Sequence, residues 1–176
     1  MFLFNKKKCA DICLKNTNKY VFKAVNDLIS DFNRVSTFGV KPKIIKDATQ
    51  NCIIIEENTR TSAEPIVDES YSITTENGNV VIRADGYLGT MWGIYTLSEK
   101  FLGVDPCYLF NDLAIIKKDA IEMPEVNIVD KPDGFGFRGV FINDEDLLQG
   151  WKDGGGVRLV GGGFYYVTVA KSVIEK

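Results

Sequence analysis

The chain has 176 residues, 45% of them hydrophobic and 26% charged, with a formal net charge of −3. That is the composition of a globular chain able to bury a sizeable core. Lysine and arginine are scattered, so no basic stripe is available to neutralise phosphates, and nucleic acid is not an expected partner. No apolar stretch reaches the roughly 18 residues needed to span a bilayer, and Met1-Phe2-Leu3-Phe4 lacks the charged start of a signal peptide.

The default expectation is a cytoplasmic chain with no membrane partner. A secreted or periplasmic location is expected instead if an export signal has been removed. Cys9, Cys13, Cys52 and Cys107 show no CxxC pairing, and there is no histidine. Ser–His–Asp and Cys–His nucleophiles and ordinary zinc sites are therefore excluded, and no metal or other cofactor is expected. Small buried thiols, with one or two exposed, are the simplest reading. Cys9 and Cys13 have the spacing to share a helical face. Lys6-Lys7-Lys8 reads as a solvated N-terminal end.

Val21, Phe22, Val25, Leu28, Ile29 and Phe32 recur at helical spacing, which predicts an amphipathic helix over residues 20–35. Beyond Gly39, Val40 to Ile45 and Cys52 to Ile55 read as two short strands, the second apolar enough to be buried on both faces. Glu56 to Glu69, with Pro65, reads as a loop. Tyr71 to Thr75 and Val80 to Ala84 alternate apolar and polar residues around Asn77-Gly78, the signature of a tight hairpin.

A second helix is predicted from Tyr87 to Phe101, with Gly103 as its C-terminal cap and Leu88, Met91, Trp92, Tyr95, Leu97 and Phe101 mostly toward the sheet. Gly89 and Gly93 lie four apart on it, a spacing that lets a helix approach a neighbouring backbone. Residues 106–132 form a connecting region with weak strand signals at Ala114 to Ile116 and Val126 to Val129. The fold class expected is α+β, a mixed sheet with helices packed on one face, occupying residues 1–130.

After the turn Pro132-Asp133-Gly134, the apolar run Phe137 to Ile142 leads into Asn143-Asp144-Glu145-Asp146. A buried strand that ends in acids is how barrel enzymes place groups at the mouth of a pocket. Carboxylates of this kind serve glycoside hydrolysis, although neighbours along a chain point in different directions and a second acid would come from another strand. The same residues also read as a helix N-cap, with Asn143 or Asp144 capping and Glu145 and Asp146 favoured by the helix dipole. Trp151 has a face suited to a pyranose ring, and equally to core packing. Neither Gly154-Gly155-Gly156 nor Gly161-Gly162-Gly163 is followed by the Lys-Ser or Lys-Thr of a phosphate loop, so both read as loop.

The blocks Asp85 to Glu99 and Phe137 to Glu145 resemble the N-terminal part of glycoside hydrolase family 115. Those enzymes are α-glucuronidases that remove glucuronic acid or its 4-O-methyl ether from xylan. The resemblance runs from about Tyr71 to the last residue. It implies that the first block is a helix of an α/β accessory domain and that the second is strand one of a (β/α)₈ barrel. Residues 131–176 would then be the start of a truncated barrel, because the 30 residues after Asp146 fall far short of the roughly 200 that such a barrel needs.

On that reading Asn143 and Asp144 stand at the substrate mouth, Asp144 touching sugar or the attacking water, with Glu145 beside it, and Phe164 to Lys176 begin the first barrel helix. The partner is a carbohydrate such as glucuronoxylan, met through the full-length enzyme, and the chain alone is inactive. The alternative from another class is a self-contained, non-catalytic carbohydrate-binding or protein-interaction module. An unpaired barrel strand would also favour homo-oligomers through an exposed strand edge.

Overall fold

The computed structural model describes residues 1–58, 69–106, 108 and 113–132. In chain order the strands and helices are β1 (Phe2–Phe4), β2 (Ile12–Lys15), α1 (Val21–Val35), β3 (Ile44–Ile45), β4 (Ile53–Glu57), β5 (Tyr71–Glu76), β6 (Asn79–Ala84), α2 (Tyr87–Leu97), β7 (Ile121–Glu122) and β8 (Asn127–Asp130). A π-helical turn, Ser98–Leu102, continues α2. Six strands form one sheet in the order β3-β2-β4-β6-β5-β8, while β1 and β7 form a separate antiparallel pair.

The sheet is mixed. Strand β4 is parallel to both β2 and β6, with Ile53, Ile54 and Ile55 opposite Ile12, Cys13 and Leu14 on one side and Val80, Val81 and Ile82 on the other. Strand β5 runs antiparallel to β6 and to β8. The β5–β6 hairpin closes through Asn77 and Gly78, both at positive φ (50° and 76°), as the Asn-Gly pair predicts. Central placement explains the unbroken isoleucines of β4, since a strand flanked on both sides and covered on both faces needs apolar residues at every position.

Both helices lie on one face. There Val25, Leu28 and Phe32 of α1 and Met91, Ile94 and Leu97 of α2 meet Ile12, Ile53, Ile55, Ile73, Val80 and Ile82 in one core. Alternation sends Cys13, Ile54 and Val81 to the opposite face, where they form a smaller cluster with Cys52 and partly buried Ile45. The α+β class with helices on one face is therefore the observed architecture.

A shared polar seam fixes how the helices pair. Asp27 and Asp31 of α1 are buried. Asp27 accepts hydrogen bonds from Tyr95 Oη at 2.6 Å and Lys23 Nζ at 3.2 Å, and Asp31 accepts one from Ser98 Oγ at 2.6 Å. Buried carboxylates are tolerated only when satisfied in this way.

Glycine sets the distance from α2 to the sheet. A Cβ on Gly89 would lie 2.4 Å from the Ser70 carbonyl oxygen and 2.9 Å from Ala84 Cβ, and one on Gly93 would lie 2.5 Å from Ile82 Cγ2. The packing role expected of the pair is what is found.

Several expectations need correction. Cys13 lies in β2, not on a helix with Cys9. Of the strand expected over Val40 to Ile45, only Ile44 and Ile45 pair, with β2. Glu56 and Glu57 belong to β4 rather than to a loop. Ala114 to Ile116 is not a strand, and Ile116 is 72% exposed. Trp92 and Tyr95 are only partly buried, because the glycine stripe and Ile94 occupy the positions closest to the sheet.

Candidate functional site

Open sheets with parallel strands collect ligand-binding groups beyond the strands' carboxyl ends, because the loops that leave there are free of ladder pairing. In this chain the carboxyl ends of β2, β4 and β6 bring together Asn18, Glu57, Asn58 and Asp85. Strand alternation turns Glu57 to the same face as Ile53 and Ile55, so its carboxyl is buried. Glu57 Oε2 accepts the Asn18 backbone N–H at 2.7 Å.

Burial pushes the Glu57 carboxyl above the ordinary glutamate range, and the Asn18 N–H opposes that rise in part. Alongside, Asn58 Nδ2 donates to Asp85 Oδ1 at 2.9 Å, and the Asn58 N–H donates to the Ala84 carbonyl at 2.9 Å, extending the β4–β6 ladder by a residue. Tyr20 and Tyr87, at the starts of the two helices, stand with ring centroids 5.3 Å apart at 46°.

The carboxyl ends of these strands offer one carboxyl whose proton affinity is raised by burial, a second held by an amide, and a pair of aromatic faces. Such a set can hold a polar ligand. Acid–base hydrolysis of a glycoside needs two carboxyl groups flanking the bond; here the Glu57 and Asp85 carboxyls are each engaged by a hydrogen bond, from Asn18 and Asn58.

On the face of the sheet away from the helices, Arg83 donates to Glu56 at 3.0 Å and pairs with both oxygens of Glu76. Hydrogen bonds from Arg83 and Thr74 pull the Glu76 carboxyl down to about 2. Cys13 and Cys52 are buried there, and burial raises both thiols, so neither is a ready nucleophile. Among the described residues no group of three or more Cys, Asp or Glu side chains is placed to hold a metal ion. Nor is any described helix long and apolar enough to cross a membrane.

The residues that the sequence nominates for substrate binding, Asn143, Asp144, Glu145 and Trp151, lie outside the described residues, as do the Phe137 to Ile142 strand, both glycine runs, the Phe164 to Lys176 helix and Cys107. The sequence reading missed Glu57. Its signal was an apolar run ending in two acids, Ile53-Ile54-Ile55-Glu56-Glu57, the same pattern that singled out Asn143 to Asp146.

No protein-family model matches the chain. No curated protein matches it. Solved structures do. One is a glycoside hydrolase family 115 4-O-methyl-α-glucuronidase with specificity for decorated arabinogalactans, 21% identical, with a TM-score of 0.58 over 85% of this chain and 22% of that one. Another is the Flavobacterium johnsoniae chitobiase, of glycoside hydrolase family 20, 17% identical, with a TM-score of 0.55 over 83% of this chain and 21% of that one. The chain thus spans about a fifth of the length of each, and its fold is one that occurs within glycoside hydrolases.

Proposed function

We propose that this chain is the N-terminal part of a glycoside hydrolase. Residues 1–130 are its α/β accessory domain, and residues 131–176 open the catalytic (β/α)₈ barrel. The observation that carries the proposal is the six-stranded mixed sheet with both helices on one face, a fold shared with portions of two glycosidases. Among the described residues β8 is the last strand of that sheet and ends at Asp130, which supports placing the proposed boundary there.

In this reading the apolar run from Phe137 to Ile142 is the first barrel strand. Asn143 and Asp144 stand at its carboxyl end, where barrel enzymes carry their chemistry. Asp144 contacts the sugar or the attacking water, Glu145 neighbours it, and Trp151 stacks on a ring. The substrate is a polysaccharide bearing glucuronic acid or its 4-O-methyl ether, such as glucuronoxylan. The accessory domain contributes packing and no reacting group, so the 176-residue chain alone is inactive.

The test is sugar release from glucuronoxylan and decorated arabinogalactan by the polypeptide extended through its full reading frame. Asp144→Asn should lower kcat by about a hundredfold or more, as removal of a positioned acid or base does. An unchanged rate in that variant removes Asp144 from the site. Failure of the extended polypeptide to cleave any glycoside leaves the chain as a binding or interaction module.

A further inference from the structure

A cleft of about 670 Å³ lies at the amino ends of β2, β3 and β4, the opposite end of these strands from Glu57, bordered by the β1–β2 turn, the segment before β3 and the turn before β4. Lys7, Lys8, Lys41 and Lys43 line it, with Asp11 the single acid among its lining residues. One carboxylate against four ammonium groups leaves a local surplus of positive charge on a chain whose net charge is −3. All four lysines are exposed, and among the described residues none of the four takes part in an ion pair. Like charges gathered in a concavity raise the local concentration of anions.

The walls are held by specific hydrogen bonds. Asn51, at φ 63°, clamps β1 from both sides: its Oδ1 accepts the Phe2 N–H at 2.9 Å and its Nδ2 donates to the Phe2 carbonyl at 3.0 Å. Asn5 Oδ1 accepts the N–H groups of Lys7 and Lys8, both at 2.9 Å. Asp11 Oδ1 accepts the Lys43 N–H at 3.0 Å. The backbones of Lys7, Lys8 and Lys43 are thus fixed while their side chains stay in solvent. Phe2, 44% exposed, presents a ring in the same cleft, and Gln50 and Thr49 add exposed polar side chains.

Cys9 also lines the cleft. Burial, with Asp11 nearby, pushes its thiol up to about 12, so at neutral pH it is an uncharged thiol and not a nucleophile. The equipment is for binding.

We propose that this cleft binds a carboxylate-bearing oligosaccharide, lysine ammonium groups meeting the uronate carboxylates and the Phe2 ring lying against the apolar face of a pyranose. Volume favours a short oligosaccharide, since ligand clefts for small molecules run from roughly 300 to 1,000 Å³. An extended nucleic acid strand would need a basic track longer than the cleft, which a chain of net charge −3 with scattered lysines and arginines does not favour. The site lies wholly within the α/β domain and does not depend on the proposed barrel, so binding without hydrolysis supports it.

The test is calorimetric titration of the whole chain with tetragalacturonate at low salt, with uncharged cellotetraose, inorganic phosphate and a short single-stranded DNA as comparisons. The expected result is binding of tetragalacturonate alone, weakened by added salt and weakened about tenfold, or about 1.4 kcal/mol, in the double variant K41Q/K43Q, with unchanged circular dichroism. Lys100→Gln, in the turn after α2, should leave it unaltered. The proposal is overturned by absence of binding, by equal binding of cellotetraose, by phosphate or DNA binding as tightly, or by equal weakening in both variants.

Discussion

Replacing Gly89 with alanine separates two opposed effects of known size. Helix propensity alone favours alanine by about 1 kcal/mol in a helix interior. Against it stands the space: the added Cβ would sit 2.4 Å from the Ser70 carbonyl oxygen and 2.9 Å from Ala84 Cβ. The first obstacle is backbone leading into β5 and cannot rotate away, so α2 or the segment at residues 69–70 must shift. Overpacking of this kind costs about 1–3 kcal/mol, and the balance is a net loss of up to about 2 kcal/mol. With a urea m-value of about 2 kcal/mol/M, the unfolding midpoint falls by up to roughly 1 M. Gly93→Ala should lose less, because its nearest obstacle is a side-chain methyl, Ile82 Cγ2. A midpoint that rises in Gly89→Ala would refute the close approach of α2 to the sheet.

Four further outcomes are expected. Phe32→Ala, which removes a fully buried ring packed edge-to-face on Phe4 at 6.0 Å, should destabilise by about 3–5 kcal/mol in denaturant unfolding. Tyr95→Phe removes a donor to the buried Asp27 carboxylate and should cost about 1.5–3 kcal/mol by the same assay. Because the folded state raises the Glu57 carboxyl, the folded chain holds that proton more tightly, and stability declines as pH rises through the folded value. Glu57→Gln should therefore gain on the wild type at pH 7 and lose that advantage in acid; equal difference curves at both pH values would show the carboxyl to be unperturbed. For Glu76 the sign is reversed: its stabilisation is present above the unfolded value of 4.5 and is lost as pH falls toward about 2. Arg83→Gln should return the Glu76 titration toward 4.5 by NMR, yet change stability by under about 1 kcal/mol because the pair is solvent-screened.

What could be read from the sequence was what local rules decide. The Asn77-Gly78 turn, the apolar stripe of α1, the isoleucines of β4 and the Gly103 cap (φ 81°) each carry their cause within a few residues. What escaped was decided by distant partners. Strand β2 is four residues long and becomes a central strand because β3 and β4 flank it. Strands β1 and β7 pair across more than a hundred residues, closed by the Met1 ammonium on the Met123 carbonyl at 2.9 Å. Ala114 to Ile116 has strand-like residues and no partner strand, and stays outside the sheet.

The candidate sites follow the same division. Glu57 is buried because β4 brings it against Asn18, 39 positions earlier. Lys7 and Lys8 read as a solvated end and are indeed exposed, yet chain folding sets them in one cleft with Lys41 and Lys43. Neither juxtaposition has a spacing that a linear reading can detect. The resemblance in Asp85 to Glu99, by contrast, pointed to an α/β domain directly, and that block contains the whole of α2.

Limited trypsinolysis of the 176-residue chain tests the proposed division at residue 130 most directly. The account predicts early cleavage after Lys152 and Arg158 and a resistant fragment that retains β1 through β8. Intact bonds after Lys152 and Arg158 under conditions that cut within the α/β domain would contradict it.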